Sequence, residues 1–129
     1  MHISLILAVD DAAQAADWYR RALGAAQLWS LGSVLGLEIE GAPFFIHEST
    51  STGFSSAATG ETTVRVEVFV DDPDTLFQRA IDAGADGTTD GIRSYEVPWG
   101  VHRQGSFRDP FGHTWHIGDH SPLQRFPRN

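Results

Sequence analysis

The sequence predicts an α+β fold built from two similar strand–helix–three-strand units, and three observations carry that prediction. A period-two apolar alternation followed by a helical stripe occurs twice. Both copies read strand, Val-Asp-Asp, helix, Gly-Ala, with the two Val-Asp-Asp runs beginning at Val9 and Val70, about 60 residues apart. Near the end, Asp109-Pro110-Phe111-Gly112 has the order of a tight turn and folds the last two strands into a hairpin. Matching caps and stops, added to matching alternation, indicate an internal duplication.

Ile3, Leu5, Leu7 and Val9 share one face of the first strand. Asp10 and Asp11 are candidate N-caps. Ala12, Ala15, Ala16, Tyr19, Ala22 and Leu23 recur at three- and four-residue spacing, one apolar stripe of a helix that Gly24 stops. Strand-like segments follow at 27–31, 34–40 and 43–48. Residues 49–63, rich in Ser, Thr and Gly, read as a linker or a loop over a site. In the second half Val64, Val66, Val68 and Val70 alternate. Asp71 and Asp72 cap a helix opening at Pro73, with Leu76, Phe77, Ala80 and Ile81 as its stripe and Gly84 as its stop. The later strands are less distinct around 87–89, then clear at 103–108 and 113–118. Residues 119–129 read as a tail. The expected organisation is one domain: a first module over about 1–48, the linker 49–63, a second module over about 64–118, and the tail.

The chain has 129 residues, a net charge of −8, nine arginines, no lysine and no cysteine. That composition excludes Schiff-base lysine chemistry, a lysine-bearing phosphate loop, cysteine nucleophiles, disulfides and cysteine zinc sites. Scattered arginines on an acidic chain argue against a nucleic-acid partner, whose phosphates demand a clustered basic surface. No apolar run approaches the roughly 20 residues that span a bilayer. The first residues lack a basic leader and a small-residue cleavage site, so the expectation is a soluble, cytoplasmic protein with no membrane partner. Neither a G-x-S-x-G elbow nor a G-x-G-x-x-G run is present to support nucleophilic catalysis or dinucleotide binding.

The repeated unit, the helix ADWYRRALGA and the run WGVHRQGSFRDPFGHTWHI resemble the vicinal oxygen chelate superfamily, which contains glyoxalases, bleomycin-resistance proteins and extradiol dioxygenases. The resemblance covers about residues 3–118. It implies paired βαβββ modules with strongly curved sheets cupping a cavity, and a homodimer. It leaves activity open, because this fold hosts lyases, dioxygenases, thiol transferases and binders without catalysis. The metal enzymes of the family take one ligand from the first and one from the last strand of each module. Carried onto this chain, those positions are Ser4 and Arg65 on the first strands and His47 and His116 on the last. Serine is a poor ligand and arginine is a permanent cation without an acceptor. A catalytic centre needs about three protein ligands and an open position. If a metal were bound, Glu67 would be the third ligand beside His47 and His116; none is expected to be required.

Each candidate also has a plainer account. His47 and His116 can be strand histidines bonded to backbone, yet their equivalent places in the two halves point to a cavity wall. His2 and His120 are expected to be solvated, and His113 to stabilise the hairpin. His102, between Trp99 and Arg103, is a further cavity candidate. Arg65 and Glu67 share a strand face and make a structural ion pair in the plain account. In the functional one Arg65 grips a ligand carboxylate and Glu67 is a candidate general base. Trp18 and Trp115 are expected to pack against the core. Trp29 and Trp99, with Phe45 beside His47 and Phe69 beside Glu67, suit a wall for a planar, partly polar ligand. The first functional reading is therefore a binder of the bleomycin-resistance type that sequesters an aromatic natural product or related metabolite in a dimeric cavity. The second is a metal-dependent lyase or dioxygenase. The third is a metal-free enzyme with Glu67 or a histidine as base. The metal content of protein purified without chelator separates the first two.

Overall fold

The computed structural model of the chain describes residues 4–49 and 64–124. Expectations that fall on His2, Ile3, most of the linker and the end of the tail lie outside those residues. The chain divides into two compact units, the first reaching Thr62 and including Pro110–His113, the second holding Thr63–Asp109 and the residues from Thr114 onward.

In the first unit, β1 (Ile6–Val9) leads through α1 (Ala12–Leu23) to β2 (Ala26–Ser30), β3 (Val34–Ile39) and β4 (Ala42–Glu48). The sheet order is β1-β4-β3-β2, with β1 parallel to β4 and the other pairs antiparallel. Asp11 rather than Asp10 is the N-cap, its side chain accepting from the Gln14 N–H at 2.9 Å. Gly24 ends the helix in the left-handed region at φ 70°. The β3–β4 turn places both Glu40 and Gly41 at positive φ, the two-residue hairpin geometry that matches strand twist. Leu7, Val9, Leu35, Leu37, Phe44 and Ile46 face the helix and bury against Ala12, Ala15, Tyr19, Ala22 and Leu23. Tyr19 stands edge-on to Phe44 at 5.7 Å, and Trp18 meets Phe111 edge-on at 6.1 Å. Trp18 is thus a packing residue, as expected.

In the second unit, β5 (Arg65–Phe69), α2 (Pro73–Asp82), β6 (Asp86–Val97), β7 (Gly100–Arg108) and β8 (Thr114–Gly118) precede a short helix α3 (Ser121–Gln124). The order β5-β8-β7-β6 repeats the first sheet, again with one parallel pair, so the fold is α+β with a βαβββ module in each unit. Asp72 caps α2 through Thr75. Val66, Phe107, Trp115 and Ile117 form the buried face, and Phe107 meets Phe77 at 6.4 Å. Trp115 is fully buried and donates from Nε1 to the buried Asp109 at 2.8 Å. A buried aromatic of this kind contributes roughly 1.5–3 kcal/mol through its apolar area, and only a paired N–H permits it.

Two expectations need correction. The long β6 and the first residues of β7 were not legible: β6 is an edge strand, exposed or half-buried throughout, whose register with β7 shifts between Asp86 and Asp90 and again before Arg93. Its residues therefore lack the apolar alternation that marks a strand. His113 does more than steady a hairpin. It is buried and donates from Nε2 to the carbonyl of Ala8 at 2.8 Å, within the first unit. Among the described residues no helix is long and apolar enough to cross a membrane.

Candidate functional site

Each sheet has one face covered by its helix and one left open, because strand side chains alternate. The candidate site residues fall on the open faces. In the first unit these are Ser4, just ahead of β1, and Phe45, His47 and Trp29. A register shift in β2 brings Trp29 opposite Gly36. An added Cβ at Gly36 would lie 2.6 Å from the indole, so only glycine lets the ring lie flat over the strand. The ring there meets Phe45 at 5.3 Å and keeps 40% of its surface exposed. Ile6 is 64% exposed on the same face. The result is an apolar, aromatic platform edged by the exposed His47. A smaller cleft of about 340 Å³ lies on the opposite side of this sheet, where Ala13 and Ala16 of α1 leave space beside Leu35.

The open face of the second unit is polar. Arg65, Glu67 and Phe69 of β5 pair in register with Thr114, His116 and Gly118 of β8. These in turn face Arg108, Ser106 and Gln104 of β7. A cleft of about 520 Å³ is lined here by Arg65, Asp86, Asp90, Ser106, Arg108 and Thr114. Arg65 and Glu67 are exposed, and among the described residues neither makes an ion pair, so the plain account of the two as a structural pair does not hold. Each is open to a ligand. Arg103, by contrast, points away to Asp74 in the first turn of α2, making two bonds of 2.6 and 2.7 Å that hold the Asp74 carboxyl below its ordinary range.

The register separates the two candidate histidines. Val9 and Val70 begin equivalent helix entries 61 residues apart, so Ile6 corresponds to Glu67. Ile6 lies opposite Phe45, and Glu67 lies opposite His116. His116 therefore corresponds to Phe45, while His47, opposite Ala8, corresponds to Gly118, opposite Phe69. The expected equivalence fails by two residues, a shift that keeps both side chains on open faces and is invisible to alternation alone.

Among the described residues, the donors at these positions do not make a metal-binding set. Among the described residues no three His, Asp or Glu side chains are grouped to hold an ion. The Arg65 guanidinium has no lone pair to give, and Ser4 is neutral. His116 already spends Nε2 as a donor to the amide oxygen of Gln104. The alternative triad of His47, His116 and Glu67 is thus not assembled among the described residues.

His102 and Trp99 sit at the far end of the second face. His102 is buried, and its Nδ1 lies 2.7 Å from Oδ1 of Asp119. Partial burial works against the Asp119 charge, but the Arg103 and Ser121 N–H groups, the Ser121 hydroxyl and His102 outweigh it, holding the carboxyl well below its ordinary range. Trp99, in the β6–β7 turn and 40% exposed, donates from Nε1 to the Ser121 hydroxyl at 3.1 Å. Asp119 and Ser121 fall in the segment that the sequence marks only as a tail, because, apart from the bond between the two, their partners lie 16 to 22 residues away.

The model of a family described as a glyoxalase-like domain matches residues 4–118. An uncharacterized protein of Mycobacterium bovis is 33% identical over 123 residues, covering 87% of this chain and 78% of that one. One of Mycobacterium tuberculosis is equally similar, with 70% of its length covered. Among solved structures, TioX from a Micromonospora species is 30% identical with a TM-score of 0.68, covering 92% of this chain and 95% of that one. The fosfomycin resistance protein FosX from Mesorhizobium loti superposes with a TM-score of 0.67 over 98% of each chain, and at 13% identity this is a likeness of fold alone.

Proposed function

The chain belongs to the glyoxalase-like domain family, within the vicinal oxygen chelate superfamily, and on that premise we propose that it is a small-molecule binder of the bleomycin-resistance type. It holds an aromatic natural product or related metabolite without a required metal, in a cavity completed by a second copy of the chain. The observation that carries this reading is Arg65: a permanent cation, exposed and unpaired among the described residues, stands where the family's metal enzymes place a ligand. A guanidinium there repels a metal ion and suits a ligand carboxylate or polar oxygen. The exposed Trp29 over Gly36 and the apolar surface around it supply the stacking wall such a ligand needs. Open sheets with unpaired edges support the dimer.

The test is titration of chelator-treated protein with a panel of aromatic acids, polyketides and glycopeptides, followed by tryptophan fluorescence. The expected result is saturation at about one ligand per chain, with a melting temperature that chelator leaves unchanged. Failure of every compound in the panel to bind overturns the reading. A melting temperature that falls on chelation and recovers with zinc, iron or manganese favours the second reading, a metal-dependent lyase or dioxygenase.

A further inference from the structure

We infer that His102 is locked by Asp119 as its Nδ1–H tautomer and presents Nε2 as the acceptor for a weakly acidic O–H, so that the ligand class is a phenol or enol. The inference rests on the binding role above and adds the chemistry of the group recognised. The tautomer follows from the partner. An ionised carboxylate only accepts, so the ring nitrogen 2.7 Å from Asp119 must carry the proton, and in a neutral imidazole the other nitrogen is then an acceptor. Asp119 is itself fixed by the N–H groups of Arg103 and Ser121, both at 2.9 Å, so it cannot turn away from the ring.

The fold brings Ser121, His102 and Asp119 together, but not as a nucleophilic triad. Ser121 Oγ lies 3.1 Å from the same Nδ1 that Asp119 occupies, which leaves no base to activate the hydroxyl. Nε2 is the nitrogen left over. The His102 side chain is only 7% exposed. Among the described residues Nε2 meets no hydrogen-bonding partner, yet no side-chain N or O is both sealed from solvent and unpartnered. Nε2 is thus unpartnered among the described residues without being sealed from solvent. Its direction is set by Gly118: a Cβ built there would come 2.8 Å from Cε1 and 3.0 Å from Nε2. The ring thus leans from β7 across Gly118 of β8, on the side of Phe69 of β5. Around this acceptor are Tyr95 opposite on β6, Gln104 beside it, and Trp99 bonded to Ser121. A buried, oriented acceptor bordered by aromatic side chains matches an aromatic ring bearing a hydroxyl donor.

The probes are 4-methylphenol, which stays protonated at neutral pH, and its methyl ether 4-methylanisole, compared by calorimetry. The wild type is expected to prefer the phenol by about five-fold, the worth of one hydrogen bond. His102→Asn keeps an amide donor toward Asp119 but lacks Nε2, and should abolish the preference while the melting temperature stays close to wild type. His102→Gln, with an amide oxygen near the Nε2 position, should restore part of it. Long-range nitrogen NMR of the wild type, which needs no variant to fold, should show the proton of the neutral ring on Nδ1 and none on Nε2. A protonated Nε2 in the neutral ring, equal affinity for phenol and ether, or no binding of either overturns the inference. The binding role itself stands or falls separately, with the broader panel.

Discussion

Replacing Gly36 by alanine puts two opposed effects on one position, and their magnitudes decide the outcome. The new Cβ would lie 2.6 Å from Trp29 Cε2 and 2.7 Å from Nε1, against about 3.5–4.0 Å for an ordinary carbon contact. The indole must therefore lift by roughly 1 Å or swing out, and it is free to do so because 40% of it is already exposed. Lifting forfeits the contact with Phe45 at 5.3 Å, worth about 0.5–1.5 kcal/mol. Alanine in place of a strand glycine returns roughly 0.5–1 kcal/mol by restricting the unfolded chain. The two nearly cancel, so stability should change by less than about 1 kcal/mol, a shift of a few degrees at most. Ligand stacking has no such compensation and should weaken several-fold. Urea unfolding, the Trp29 indole resonance and fluorescence titration measure the three quantities. A loss of more than about 2 kcal/mol would show that Trp29 is a strut of the sheet, and unchanged ligand affinity would remove it from the binding wall.

Asp119 ties stability to pH, since its folded-state pKa lies below the ordinary value near 3.8. Its contribution is complete above that value and lost as pH falls further, so the gap between wild type and Asp119→Ala should be about 1–3 kcal/mol at pH 7 and close in acid. A gap independent of pH would contradict this. Arg65→Ala should weaken acidic ligands more than neutral ones and leave the melting temperature nearly unchanged, because Arg65 is exposed and makes no ion pair among the described residues. Equal weakening of both ligand types sinks the recognition role. Sedimentation equilibrium at micromolar concentration should give a dimer mass, and a monomer would argue against a cavity completed by a second copy.

The sequence by itself determined what is local. Alternation at Val64–Val70, the stripes from Ala12 and Leu76, the caps at Asp11 and Asp72 and the stop at Gly24 each depend on neighbours within about four residues, and the structure places them as expected. Alternation put Arg65 and Glu67 on one strand face, and motif likeness named the family and singled out His116 on the last strand. Tertiary structure decided everything that depends on pairing across the chain. The histidines at 47 and 116 differ by two residues in register, which only the opposing strand reveals. The edge strand β6 lacked a pattern because it buries too little to need one. Asp119 and Ser121 acquired roles only when β7 came alongside them. A carboxylate and a hydroxyl in a polar tail carry no signal until folding supplies an imidazole 2.7 Å away.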